Sequence, residues 1–226
     1  MQLKKSERLE DLLIDGLKII QNKDLYCFTS DAVILSKFAS FRKGEKVADF
    51  CAGSGIVGLH YYALHRDLKS VDGFEIQSCL ADMFSRTIEY NGLDEKFKCH
   101  NIPVQDIPND FNGKYSLILC NPPYKKVNSG EKNPDDHIAV CRHEVKITLE
   151  EIIAVASKKL KHGGRLAMCQ RTERLSDMIC LMRENGLEPF RLQFVTAGKD
   201  DKPYLVLIEA AKGVKPQLKV LPNYRN

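Results

Sequence analysis

The sequence predicts an α/β fold: an open, seven-stranded, mostly parallel sheet with helices on both faces. Three observations carry that prediction. From Glu45 onward short apolar runs alternate with stretches of helical period, the pattern of strands joined by crossover helices. The run Tyr115-Ser116-Leu117-Ile118-Leu119-Cys120 is apolar almost throughout, as a strand buried on both faces requires. The last two apolar runs, residues 190–195 and 204–210, lie close enough in the chain to pair antiparallel, so one strand runs against the others.

Composition narrows the setting. With 226 residues, 43% hydrophobic and 28% charged, the chain can bury one large core, and nothing suggests two domains. A net charge of +4 is a mild basic excess, compatible with an anionic partner. The eight cysteines are scattered, no two closer than the 11 residues between Cys169 and Cys180. No CxxC pair or His/Cys cluster exists, so no metal is expected, and the spread fits reduced, buried thiols of an intracellular protein. No apolar run reaches membrane-spanning length, and Met1 to Arg8 are not followed by an apolar core of signal length. The reading is a cytoplasmic protein with no membrane partner.

The elements follow in order. Leu17-Lys18-Ile19-Ile20 and Leu25-Tyr26-Cys27-Phe28, separated by Gln21-Asn22-Lys23-Asp24, predict a hairpin. Thr29-Ser30-Asp31 supplies polar caps for a helix over residues 32–39, and residues 1–44 together form a segment packed on the core. Residues 45–226 form the main domain. Its first strand is Val47-Ala48-Asp49-Phe50, turning through Cys51-Ala52-Gly53-Ser54-Gly55 into a helix over 56–65. Val71 to Glu75 is the next strand, a long helix runs from Cys79 to about Tyr90, and Phe97 to His100 is a strand. Beyond Tyr115 to Cys120 and a polar stretch, residues 125–146, come a helix over 149–160, Gly163-Gly164, a strand over 165–170 and a helix over 175–184. The two final strands close the sheet.

Chemistry concentrates at the carboxyl ends of the strands, where open α/β sheets hold their ligands. Asn121-Pro122-Pro123-Tyr124 follows the most apolar strand directly. The Asn121 side-chain carbonyl can accept one hydrogen of a planar amine, and a backbone carbonyl of the proline pair can accept the other. The prolines fix φ and remove competing N–H donors, so these acceptors are held before a substrate arrives. Tyr124 offers a π face to a base or an amide. Asp49 and the Gly53-Ser54-Gly55 turn end the first strand, where glycine lets the backbone approach a ligand at a helix amino terminus. The turn lacks the GxGxxG spacing of dinucleotide sites. Glu75, about 20 residues further on, is placed to accept two ribose hydroxyls.

These residues together resemble the class I S-adenosylmethionine-dependent methyltransferases, with a Rossmann-like fold, that modify exocyclic or amide nitrogens. More narrowly, Phe28-Thr29-Ser30-Asp31-Ala32-Val33-Ile34-Leu35, Arg142-His143-Glu144 and the tail from Pro203-Tyr204-Leu205-Val206-Leu207 to Lys212-Gly213 are similar to the bacterial tRNA1(Val) adenine-37 N6-methyltransferase family. The resemblance covers nearly the whole chain. It implies S-adenosylmethionine as cofactor, with Asp49, Gly53 and Gly55 at its methionine end, Glu75 on the ribose and Ile76 against the adenine. Asn101 or Asp106 would bond the adenine amine, and Thr29 and Asp31 would close over the cofactor. Asn121, Pro122 and Tyr124 would carry the transfer, with Asn121 also contacting the cofactor. The sequence departs from the family pattern at Cys51, where the first glycine of the loop is common, and at Ser116, where an Asp often stands.

The implied acceptor is tRNA. Lys125 and Lys126 follow the motif, with Arg142, His143 and Lys146 further on, and are the candidate substrate contacts. Lys158, Lys159, Lys161, Arg165, Arg171 and Arg174 form a second basic group, and the tail from Lys212 carries Lys215, Lys219 and Arg225 with no acid. The polar span 125–146 is long for a connection and predicts a functional loop over the base. Competing readings are a glutamine N5-methyltransferase of release-factor type, a non-catalytic RNA-binding relative, and a DNA adenine methyltransferase.

Overall fold

A computed structural model describes residues 2–25, 27–124, 147–198 and 202–226. The chain runs through β1 (Glu7–Asp11), β2 (Lys18–Asn22), α1 (Ser30–Phe38), β3 (Lys46–Phe50), α2 (Ile56–Leu64), β4 (Ser70–Phe74), α3 (Ser78–Tyr90) and β5 (Phe97–His100). It continues through β6 (Tyr115–Cys120), α4 (Leu149–Lys159), β7 (Leu160–Arg171), α5 (Leu175–Glu184), β8 (Leu187–Thr196), β9 (Pro203–Lys212), β10 (Lys219–Val220) and β11 (Tyr224–Arg225). The main sheet has the order β10-β8-β9-β7-β6-β3-β4-β5, with β11 also on β8. Among these, β9 alone runs against its neighbours β7 and β8. The seven expected strands are present, and the carboxyl-terminal tail adds two short ones.

The central strands show why the prediction from apolar runs succeeds. Every residue of β6 is buried, and its side chains alternate between two cores. Leu117 and Leu119 join the core under α1, α2 and α3; Ile118 and Cys120 join the one under α4 and α5. Each such aliphatic side chain contributes about 1.5–3 kcal/mol by leaving water. Because β3 pairs with β4 on one side and β6 on the other, the order of the chain reverses there. A crevice opens at such a reversal, at the strands' carboxyl ends. Phe50 lies opposite Cys120 in the ladder, so the turn after β3 and the motif after β6 emerge side by side.

Two sequence expectations need correction. The amino-terminal hairpin pairs β1 with β2, Leu9 opposite Ile20, so residues 25–28 are not its second strand. Its first strand, Glu-Arg-Leu-Glu-Asp, reads as polar, but its charges are used locally. Glu7 accepts a two-pronged bond from Arg86 of α3 (2.9 and 2.5 Å), and Arg8 pairs with Glu10. Likewise Gly163-Gly164 does not separate a helix from a strand. Both lie inside β7, at a shift of its register with β6, and a Cβ on Gly164 would stand 2.8 Å from the Lys161 carbonyl. Helix α4 starts in a full capping box, Thr148 with Glu151.

Candidate active site

The turn after β3 is shaped by what touches it. Cys51 has φ +57°, Gly53 +57° and Gly55 +90°. A Cβ on Gly55 would stand 2.2 Å from the Phe84 ring, as would one on Gly73, so this aromatic of α3 fills the space both glycines leave. Cys51 therefore takes the left-handed conformation that the missing glycine would take freely. For an L-residue that conformation costs roughly 1–2 kcal/mol. A Cys51→Gly variant is expected to gain about 1 kcal/mol, seen as a rise of roughly 2–4 °C in the midpoint of thermal unfolding. An unchanged or lower midpoint would show that the sulfur's packing outweighs the backbone term.

Asp49 is fully buried; its Oδ2 accepts the Gly58 N–H at 2.9 Å, and its Oδ1 is buried with no hydrogen-bond partner. Burial pushes its carboxyl up to about 7, opposed by the Gly58 amide. Glu75 stands just past β4. Its Oε2 accepts from Gly53 N–H and its Oε1 from Gln77 N–H, both at 2.8 Å, and the carboxylate retains acceptor capacity beyond them. Burial raises this carboxyl too, opposed by the Gln77, Gly53 and Ile76 amides. Asn101 donates to the Glu75 and Ile76 carbonyls at 2.7 and 3.0 Å, so it is tied to the end of β4. Asp106 sits on the surface in the first of the two 3-10 turns between β5 and β6. An orphaned acceptor on Asp49, open space on the Cβ side of Gly53 and a carboxylate with free lone pairs together fit a cofactor that carries an ammonium and a ribose.

On the transfer side, Asn121, Tyr124, Cys169 and Asp31 form one network. Asn121 Oδ1 accepts from the Tyr124 hydroxyl at 2.8 Å and from the Cys169 thiol at 3.0 Å. Burial pushes the Cys169 thiol up to about 12, so it remains a neutral S–H donor at neutral pH. The Tyr124 hydroxyl also faces Asp31 Oδ2 at 3.2 Å, and Tyr204 donates to Asp31 Oδ1 at 3.2 Å. Asp31 thus reaches the motif itself, while Thr29 is the exposed, extended N-cap residue of α1. Pro122 is buried and Pro123 exposed. Lys125, Lys126, Arg142 and His143, with the rest of the span 125–146, lie outside the described residues.

Two participants were not identified from sequence. Gln21 of β2 is fully buried, donates to Ser54 Oγ in the glycine turn, and accepts from Phe28 N–H at 3.2 Å. The hairpin therefore braces the cofactor turn. A glutamine in the apolar run Ile19-Ile20-Gln21 is the only local sign of this. Cys169, inside a strand, gives no sign at all.

The second basic group divides on inspection. Arg165 is wholly buried, bonded to Glu209 at 2.9 Å and to Glu45 at 2.8 Å. Lys159 donates to the Pro108 carbonyl and Asn112, and Arg174 pairs with Asp177. Lys158 and Lys161 lie where α4 enters β7, at the opposite end of that strand from the site. The group is therefore not one surface; Arg171, at the carboxyl end of β7, is the member beside the motif.

Among the described residues no helix is long and apolar enough to cross a membrane, and no group of three or more His, Cys, Asp or Glu is arranged to hold a metal. Comparison with known proteins identifies a family for the chain. The family model described as "Methyltransferase small domain" matches residues 29–184. A tRNA1(Val) (adenine(37)-N6)-methyltransferase of Parabacteroides distasonis is 26% identical over 180 residues, covering 80% of this chain and 74% of the relative. One of the same name from Shewanella putrefaciens is 24% identical over 170 residues, covering 73% and 70%. The crystal structure of Pyrococcus horikoshii TYW2 in complex with MeSAdo superposes with a TM-score of 0.65 at 15% identity, over 93% of this chain and 73% of that one. With the fold, the glycine turn and the motif in place, the chain belongs to the methyltransferase small domain family and is an S-adenosylmethionine-dependent methyltransferase.

Proposed function

We propose that the chain methylates the N6 amine of an adenosine in tRNA, with adenosine 37 of tRNA1(Val) as its target. The observation that carries this reading is Asn121 Oδ1, fixed at the end of a fully buried strand and held by two donors. An incoming amine takes the place of the Tyr124 hydroxyl on that oxygen. The exchange is easy because the hydroxyl already has a second acceptor, Asp31. The other amine hydrogen goes to a backbone carbonyl of the proline pair, which turns the nitrogen lone pair out of the ring's conjugation. The bound sulfonium supplies an electrophilic methyl group. The protein's part is orientation and preset acceptors, and no basic side chain is needed before transfer, since the amine proton becomes acidic only afterwards. Within an RNA, the base must be extruded to reach such a pocket.

The names of the relatives support the tRNA assignment, as does the amino-terminal Thr29-Ser30-Asp31 segment packed against the motif. The test is transfer of labelled methyl groups to unmodified tRNA, release factor and duplex DNA in parallel. Label is expected in tRNA1(Val), at N6 of adenosine 37 after digestion. Label in release factor alone would establish glutamine N5 methylation instead.

A further inference from the structure

Arg171 stands out because, among the described residues, its charge meets aromatic rings and no acid. It ends β7, is exposed, and forms no ion pair among the described residues. Its guanidinium carbon lies 5.1 Å from the centre of the Tyr124 ring and 5.9 Å from that of Tyr204. Both tyrosines are fixed from beneath by the same carboxylate, Asp31. Tyr204 is further held by Asn226 at 2.9 Å. A planar cation is thus laid over two anchored rings, which restricts its rotamers before any ligand binds.

Arg171 also opens onto a cleft of about 440 Å³, shared with Glu173, Lys202, Pro203 and Tyr204. Among the described residues the cleft is lined by two cations, Arg171 and Lys202, and one acid, Glu173. We infer that it is an RNA-anchoring site, in which Arg171, assisted by Lys202, binds a backbone phosphate flanking the target nucleoside. The inference rests on the tRNA reading above. A guanidinium grips a phosphate through two parallel N–H bonds, and stacking leaves the N–H edge free to do so. Since Arg171 lies over Tyr124, the phosphate it holds is next to the nucleoside entering the transfer pocket. Pro203 and Tyr204 line the cleft as an apolar wall for the adjoining sugar.

The test is the affinity for unmodified tRNA between 50 and 200 mM salt, with cofactor affinity measured by calorimetry on the same samples. Arg171→Gln is expected to weaken tRNA binding about tenfold and lower the log–log salt slope by about one. Its cofactor affinity should stay at the wild-type value, which shows that the motif is intact. Arg171→Lys should recover the slope but only part of the affinity, because the charge returns without the planar fork. Lys161→Gln, at the far end of β7, should change neither. Wild-type affinity and slope in Arg171→Gln would overturn the anchor while wild-type methylation of tRNA left the functional reading standing. A wild-type protein that neither binds nor methylates tRNA would remove both.

Discussion

An Asn121→Ala variant is expected to lose about 10²–10³-fold in kcat, the cost of removing one preset donor or acceptor from a reacting centre. The loss arises because Asn121 Oδ1 is the one side-chain acceptor that β6 delivers to the crevice, and alanine leaves the amine nitrogen conjugated with its ring. The fold should tolerate the change. Of the two donors left behind, the Tyr124 hydroxyl keeps Asp31 as a partner, and the Cys169 thiol stands 3.4 Å from the Tyr124 oxygen. Single-turnover transfer with labelled cofactor measures the effect on chemistry, and thermal unfolding checks that the variant is folded. Full activity in Asn121→Ala would remove the amide from the mechanism.

The largest effect on stability is expected from Arg165→Met. This side chain joins three parts of the chain: it bonds Glu45 before β3, Glu209 of β9 and the Ser40 carbonyl after α1. Glu209 is buried and also receives Arg191 at 2.8 Å, while Glu45 is buried and also accepts from Tyr61. Methionine approximates the volume but leaves Glu45 with no cation. Removing one partner of a buried pair costs about 3–5 kcal/mol, because the remaining charge has neither partner nor water. Denaturant titration should show that loss at an unchanged m-value. A loss under about 1 kcal/mol would mean that Glu45 regains water in the variant. The double change Arg165→Met with Glu45→Gln should recover part of it.

What the sequence revealed and what it hid divide along physical lines. Strands β3 and β6 were legible because a parallel strand buried on both faces must be apolar nearly throughout, and the turn after β3 was legible because glycine is rarely optional at positive φ. Strand β1 was hidden because four of its five residues are charged and no apolar alternation marks it; only Glu7 meets a partner in α3, Arg86, while Arg8 pairs with Glu10 in the strand itself. Arg165 was grouped with the basic residues near it in sequence, yet it is buried and its acidic partners lie 44 and 120 residues away. Gln21 and Cys169 serve the site across 33 and 48 residues, through single polar atoms that leave no periodic trace. Asn121 and Glu75 could be placed because strand ends in such a sheet are predictable, whereas contacts between side chains from distant segments are not.

The two short strands of the tail have a consequence for the protein in solution. Strand β8 would otherwise close the sheet with an open row of backbone donors and acceptors. Instead β10 and β11 cover it, through bonds such as Leu221 N–H to the Leu192 carbonyl at 2.7 Å and Asn226 N–H to the Thr196 carbonyl at 2.9 Å. Open edges recruit strands from other molecules and seed aggregates. The covering segment is broken by Pro216 and Pro222 and carries Lys215, Lys219 and Arg225, so its own outer side is a poor template for a further strand. The tail therefore occupies the edge that β8 would otherwise present, and a shortened chain would keep the transfer site's residues from β3 and β6 while exposing that edge.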